Sequence, residues 1–256
     1  MLPRCTKQYG LIASMVRKVI RVSSLVPKAV RRRLVNTWIA LRINKEKLFT
    51  EYYKNNSWKS EESRSGVGST EEHTERLRSQ LPKFFKDYNV LTLFDAPCGD
   101  FNWFRHVPRG GLKYIGADIV RPLVERNCNL YGDIDTKFMH FDIRRDSVPC
   151  ADIWMCRDAL FHFSNADIFL TLRNFVESDI PFILTTTFPD CVRNVDIPTG
   201  SFRLLNLETA PFDLEAPVYV IIDSVETWQR RLLGLWTQNQ VAGALQRVNL
   251  KITSSV

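Results

Sequence analysis

From Val90 onward, apolar runs of six to eight residues alternate with stretches whose apolar positions recur every three to four residues. The runs are VLTLFD (90–95), KYIGADI (113–119), TKFMHFDI (136–143), ADIWMCRD (151–158), PFILTTTF (181–188), APVYVIID (216–223) and LLGLWTQ (232–238), and each reads as a strand. Between them, residues 121–132 and 165–178 carry helical spacing, the second capped by Ser164. FNWFRHV, after the first run, reads as helix or turn. Strands alternating with helices imply a doubly wound, Rossmann-like sheet of seven strands, mostly parallel, with helices on both faces.

Upstream the pattern changes. Ile12, Met15, Val16, Val19 and Ile20 share one helical face, and Val30, Leu34, Trp38 and Leu41 another, opened by Pro27. Residues 46–68 are polar and punctuated. Ser69 and Glu72 then fit a capping box for a helix over His73–Phe85 that packs Leu77, Leu81 and Phe84 or Phe85 on one face, with Pro82 expected to bend or end it. The expected organisation is a basic helical arm over 1–50, a sheet domain over 51–238 and a tail over 239–256.

Charge sharpens that division. The formal net charge is +7, yet residues 1–45 hold eleven Lys or Arg and no acid, so 24 of the 35 bases face all 28 acids in the rest of the chain, a net of −4 there. The basic character belongs to the arm, which removes the case for nucleic acid as a partner. The arm admits three readings: an amphipathic helix on an anionic membrane surface, a helix packed on the domain with a solvated basic face, or an organelle presequence. Six cysteines show no paired spacing, which suits a reducing, cytoplasmic setting and no metal. The longest uncharged stretches, 232–246 and 180–189, fall short of the roughly 18–20 apolar residues of a spanning helix.

Candidate chemistry lies where parallel strands end. Asp95, Asp118 and Asp142 close the first three runs and Arg157-Asp158 the fourth. Asp is a common turn residue, so one such position says little; four in succession suggest a ligand edge. Asp118 stands 23 residues after Asp95, near the spacing at which a second-strand acid accepts both hydroxyls of an adenosine ribose. The loop between, DAPCGD, has one glycine and two acids where a dinucleotide's pyrophosphate wants a glycine-rich anion cradle. Two carboxylates suit instead the ammonium and sulfonium of S-adenosylmethionine, with Gly99 allowing close backbone approach and Pro97 stiffening the turn.

These motifs carry a resemblance. Ser65-Gly66-Val67-Gly68-Ser69, DAPCGDFNW, YIGADI, DIWMCRDALFHFS, LTTTFP, TGSFRLLNLETAPFDL and GLW occur in order over residues 55–237. The chain thereby resembles the class I S-adenosylmethionine-dependent methyltransferases, and within them a bacterial family that often accompanies surface-polysaccharide genes. The resemblance implies S-adenosylmethionine as cofactor, with Asp95, Pro97 and Gly99 in its loop, Asp118 and Ile119 at the ribose, and Asp142 with Ile143 beside the adenine. It further implies that Gly66 and Gly68 close over the methionine end, where the following helix would add its positive end; the alternative for this segment is a flexible linker. The usual acid-x-Gly-x-Gly-x-Gly loop keeps only its middle glycine, with Pro97 and Phe101 at the other two positions.

Methyl transfer to a hydroxyl needs alignment and removal of a proton. Asp158 and His162, four apart, are the candidate pair: His162 as base, Asp158 orienting it or the acceptor. The alternative is an Arg157–Asp158 ion pair with His162 merely capping a helix. Arg203 is a candidate for an acidic or phosphorylated acceptor, or a buried structural arginine. LTTTFP supplies hydroxyls at the end of the fifth strand, Thr187 among them, and the resemblance implies that it is part of the site wall. His73, His106 and His140 read as structural. A methyltransferase acting on a small-molecule or glycan-type hydroxyl is the leading expectation, cytoplasmic or peripheral at a membrane. The rivals are a non-catalytic S-adenosylmethionine-binding scaffold and a nicotinamide-dependent oxidoreductase.

Overall fold

A computed structural model describes residues 44–226 and 229–253. The two amphipathic patterns before residue 42, and most of the basic arm, lie outside the described residues.

Asn44 opens helix α1 (Lys45–Lys54), its Oδ1 accepting the Lys47 N–H at 3.0 Å. This helix falls on residues whose net polarity read as a loop, and the expected arm boundary at 50 passes through it. Its ordering comes from Phe49, Tyr52 and Tyr53, which pack under it at helical spacing. Helix α2 (Glu71–Asp87) starts one residue later than the expected box: Thr70, not Ser69, accepts the His73 N–H. Ser69 belongs instead to a 3-10 turn, Val67–Ser69. Pro82 does not end α2. A proline inside a helix costs about 3 kcal/mol, and burial of Leu77, Leu81, Phe84 and Phe85 on the sheet offsets it.

Seven strands follow: β1 (Thr92–Asp95), β2 (Lys113–Asp118), β3 (Thr136–His140), β4 (Ile153–Cys156), β5 (Phe182–Thr187), β6 (Tyr219–Glu226) and β7 (Gln229–Thr237). They form one sheet in the order β3-β2-β1-β4-β5-β7-β6, in which β7 runs antiparallel to both its neighbours and the first five strands are parallel. Helices α3 (Arg121–Tyr131), α4 (Asn165–Val176) and α5 (Gln238–Thr253) complete the described chain. Of the residues expected as a tail, 239–253 belong to α5, which buries Val241 and Ala244 in the same core as α4.

Successive strand residues point to opposite faces. Phe94 and Trp154 join Phe175 of α4 and Trp236 in one core, while Leu93, Ile153 and Met155 join the α2 residues in the other. Both faces are therefore covered, as a parallel sheet requires. The strand order reverses between β1 and β4, so the carboxyl ends of these two strands open the crevice where such sheets take ligands. No helix among the described residues is long and apolar enough to cross a membrane.

Candidate functional site

An open cleft lies at that switch point. Asp95, Pro97, Gly99, Asp118, Ile119, Asp142, Ile143, Asp158 and His162 all line it. Gly66 and Gly68 do not, although Ser65 and Ser69 of the same loop do. Arg203 and Thr187 stand outside the lining.

The turn after β1 is held from three sides. Gly99 has φ of +58°, in the left-handed region that a glycine adopts without strain. Asp118 Oδ2 accepts the Gly99 N–H at 3.1 Å and its Oδ1 accepts the Val120 N–H at 2.9 Å. From α3, Asn127 Nδ2 donates to the Gly99 carbonyl at 2.8 Å. A Cβ on Gly99 would overlap Ser65 Oγ. Chain packing against the Ser65 loop thus requires the glycine, which also lines the cleft.

The second acid of DAPCGD is also reassigned. Asp100 is buried and points away from the cleft, accepting hydrogen bonds from the Ser63 hydroxyl at 3.0 Å, the Arg64 N–H at 2.7 Å and the Ser65 hydroxyl at 3.2 Å. It clasps the 63–65 segment to the glycine turn, and it does not line the cleft.

The Gly68 backbone meets the opposite wall. A Cβ there would stand 2.8 Å from Asp158 Oδ2, and the Gly68 carbonyl accepts from Arg157 at 2.9 Å. Gly66 packs against Trp58. The start of α2 does not present an open positive end, because Glu62 Oε1 accepts the Glu71 N–H at 2.8 Å and Glu71 and Glu72 sit in the first turn.

Asp158 and His162 do not form a pair. Asp158 has φ of +51° and a 3-10 turn follows at Leu160–His162, so the i, i+4 geometry of a helix is absent. The Asp158 carboxylate meets Arg157 at 3.2 Å and Arg231 at 3.3 Å, and Thr186 Oγ1 donates to it at 3.2 Å. Burial would raise its pKa, but the two guanidinium charges hold it below the usual carboxylate range. His162 instead donates from Nδ1 to the Ser201 carbonyl at 2.9 Å, since a carbonyl only accepts. Burial lowers its pKa despite that bond and the nearby Asp158. The imidazole is thus neutral at physiological pH, with Nε2 left as a hydrogen-bond acceptor.

Asp142 is likewise engaged. Arg144 grips it through Nε at 2.8 Å and through a second nitrogen at 2.6 Å, and reaches Asp167 at 2.9 Å. Burial pushes against ionisation, but these hydrogen bonds and the Arg144 charge leave its pKa lowered. Lys45, buried at the start of α1, meets Asp167 at 3.6 Å. Arg203 is structural: its guanidinium donates to Asn165 Oδ1 at 2.6 Å, to the Val195 carbonyl and to the Phe163 carbonyl at 3.1 Å. Thr187 is buried, its Oγ1 accepting the Leu207 N–H at 3.3 Å. Neither reaches an acceptor in the cleft.

Two acids remain. Asp95 accepts from the Tyr114 hydroxyl at 2.6 Å, and neither it nor Asp118 forms an ion pair among the described residues. Burial raises Asp95 to about 7 and Asp118 to about 6. Of the four cations lining the cleft, Lys45, Arg144 and Arg157 are paired with carboxylates, whereas the exposed Arg64 side chain has no partner among the described residues. Sequence reasoning missed Arg64, Lys45, Phe49, Tyr53 and Trp58, all of which line the cleft. The i, i+4 pair Phe49 and Tyr53 was the signal available. Among the described residues no cluster of His, Cys, Asp or Glu could hold a metal.

No protein-family model and no curated protein sequence matches the chain. Solved structures do resemble it. Human N-acetylserotonin methyltransferase in complex with S-adenosylmethionine superposes with a TM-score of 0.50 at 13% identity, over 75% of this chain and 59% of that one. The magnesium protoporphyrin IX methyltransferase of Synechocystis gives 0.47 at 14% identity, over 64% and 83%. An N-methyltransferase of Bradyrhizobium japonicum gives 0.49 at 12% identity, over 64% and 96%. The likeness at such identities is one of architecture: the chain has the Rossmann-like, seven-stranded fold of the S-adenosylmethionine-dependent methyltransferases.

Proposed function

We propose that the protein is an S-adenosylmethionine-dependent methyltransferase acting on a hydroxyl of a small-molecule acceptor. The observation that carries this reading is the set of charges in the cleft left without an internal partner. Among the described residues Asp95 and Asp118 are buried carboxylates without a salt bridge, the charge of Arg157 reaching Asp95 only at longer range, and Arg64 is a cation without a carboxylate. S-adenosylmethionine brings a sulfonium, an ammonium and a carboxylate, the complement of that set. A dinucleotide would place its pyrophosphate at the turn after β1, beside Asp95, against charge.

The residues present fit the group. Asp118 keeps acceptor capacity on each oxygen beyond its two backbone bonds, which suits vicinal ribose hydroxyls. Ile119 and Ile143 supply apolar contact for a purine, Asp95 faces positive charge, and Arg64 is placed for a carboxylate by the Asp100 clasp. When bound, S-adenosylmethionine supplies a methyl carbon made electrophilic by its cationic sulfur. The chain's own part is positioning and proton removal: α1 lays Phe49 and Tyr53 along the cleft to exclude water, and His162 Nε2 takes the acceptor's proton.

The raised carboxylates give this reading a pH signature. Between roughly pH 4 and 7 the folded state holds protons on Asp95 and Asp118 that the unfolded chain has released, so their contribution to stability falls as pH rises through that window. A cationic ligand favours the ionised forms. The melting-temperature increase produced by S-adenosylmethionine is therefore expected to be larger at pH 8 than at pH 5.5. A thermal-shift series with an increase that is flat or falls with pH would count against a cationic ligand at these two acids.

A further inference from the structure

We propose that the acceptor subsite of this cleft is the aromatic ring set of Trp58, His162 and Phe202, and that it takes an uncharged aryl hydroxyl, a phenol-type molecule. The inference rests on the methyl-transfer reading of the same cleft and goes beyond it by choosing the acceptor class.

Trp58 lies 4.5 Å from the His162 ring, centroid to centroid, and Phe202 lies 5.8 Å from it. Phe161 packs behind His162 at 4.4 Å and behind Phe202 at 5.5 Å. Trp58 is held as a fixed wall, edge-on to Tyr52 at 5.2 Å and in contact with the Gly66 backbone. Phe202 is 59% exposed, a large apolar ring open to solvent beside the half-buried imidazole. Trp58 and His162 line the cleft and Phe202 adjoins His162 outside that lining, so a flat ring entering from the cleft meets an aromatic surface.

The backbone and part-buried polar groups packed against this set are engaged, and Ser201, which precedes Phe202, is exposed. Asp158 belongs to Arg157, Arg231 and Thr186. The Ser201 carbonyl takes the His162 Nδ1–H, the Gly200 carbonyl takes the Tyr52 hydroxyl, and the Gly200 and Arg203 N–H groups donate to the carbonyls of His162 and Phe161. His162 Nε2 is left to receive one hydroxyl. An aryl ring gains stacking on these aromatic faces that a saturated sugar ring lacks. A carboxylate acceptor would need a cation at the base, where Arg157 and Arg231 are each shared by Asp158 and Asp223. In the transfer, the aryl oxygen gives its proton to His162 Nε2 and a lone pair to the methyl carbon, while the C–S electron pair stays on sulfur as the neutral thioether.

The test is ligand-observed saturation-transfer NMR on the full chain, first saturated with S-adenosylhomocysteine as verified by calorimetry, with phenol, catechol, benzoate and glucose as probes. Phenol and catechol should receive saturation and glucose should not. Phe202→Ala, at an exposed position, should weaken aryl binding roughly threefold to tenfold, the range for losing an aromatic contact, and Trp58→Ala should do the same. With S-adenosylmethionine present, His162→Asn should keep phenol binding and lower turnover by about 100-fold or more. Saturation of glucose or benzoate in place of phenol and catechol, absence of transfer to either aryl hydroxyl, or full aryl binding in both ring variants overturns the proposal. If S-adenosylhomocysteine itself does not bind, it is the methyl-transfer reading that fails.

Discussion

Replacing Arg157 by methionine should lower the unfolding free energy by about 3–5 kcal/mol, the cost of removing one partner from a buried ion cluster. Arg157 follows β4 and is almost wholly buried. Its guanidinium holds Asp223 at 3.0 and 3.1 Å, Asp158 at 3.2 Å and the Gly68 carbonyl at 2.9 Å, and stands 5.1 Å from the Trp103 ring centre. Burial pushes the Asp223 carboxyl above its ordinary range even with two arginines beside it. Without Arg157, two buried carboxylates share Arg231 alone. The double variant Arg157→Met, Asp223→Leu leaves one carboxylate for one guanidinium, and should be more stable than the single variant. Urea unfolding measures both. A single variant within about 1 kcal/mol of the parent, the range of ordinary surface changes, or a double variant less stable than the single, would contradict the role given to this cluster. The cluster also anchors the Gly68 turn beside the cleft.

Asp118→Asn should weaken S-adenosylmethionine binding on the order of tenfold to a hundredfold, about 1–3 kcal/mol for leaving buried donors unpaired. The change is nearly isosteric, yet an asparagine has one acceptor oxygen where Asp118 uses two. One of the Gly99 and Val120 N–H groups would then face an NH2 donor, and the pair of acceptors proposed for the ribose would be broken. Calorimetric titration against the parent checks this, with circular dichroism to confirm that the sheet is retained. An unchanged dissociation constant would remove Asp118 from the cofactor site.

The sheet was legible because burial on both faces writes itself as apolar runs: each of the seven strands falls within or across one of the runs read from the sequence. The convergence of Asp95, Gly99, Asp118 and Asp142 on one cleft was legible too, since strand ends of a doubly wound sheet meet at its switch point. What charged side chains do there was not. Asp100 looked like a ligand-facing acid, but its partner Ser63 lies 37 residues away, and Asp158 finds Arg231 at a separation of 73. Periodicity encodes which face a residue occupies, not which distant group neutralises it. The same limit misplaced Arg203, whose partners are a side-chain oxygen and two carbonyls in neighbouring loops. Helix α1 escaped notice because its stabilising contacts are made by three aromatic side chains in an otherwise polar stretch. The capping box was displaced by one residue because Ser69 is drawn into a 3-10 turn whose carbonyl serves Asn102 at 3.0 Å.

Arg64 illustrates how the two kinds of information combine. Sequence alone makes it one of 35 bases. Its meaning comes from the Asp100 clasp, which fixes its backbone, and from the pairing of the three other cations around it.

Isothermal titration of the full chain with S-adenosylmethionine and, separately, with NADH, each at pH 6.5 in two buffers of different ionisation enthalpy, tests the central claim most directly. The account predicts saturable binding of S-adenosylmethionine with release of protons, as Asp95 and Asp118 ionise against a cationic ligand, and no binding of NADH. Binding of NADH without binding of S-adenosylmethionine, or S-adenosylmethionine binding accompanied by proton uptake, would contradict it.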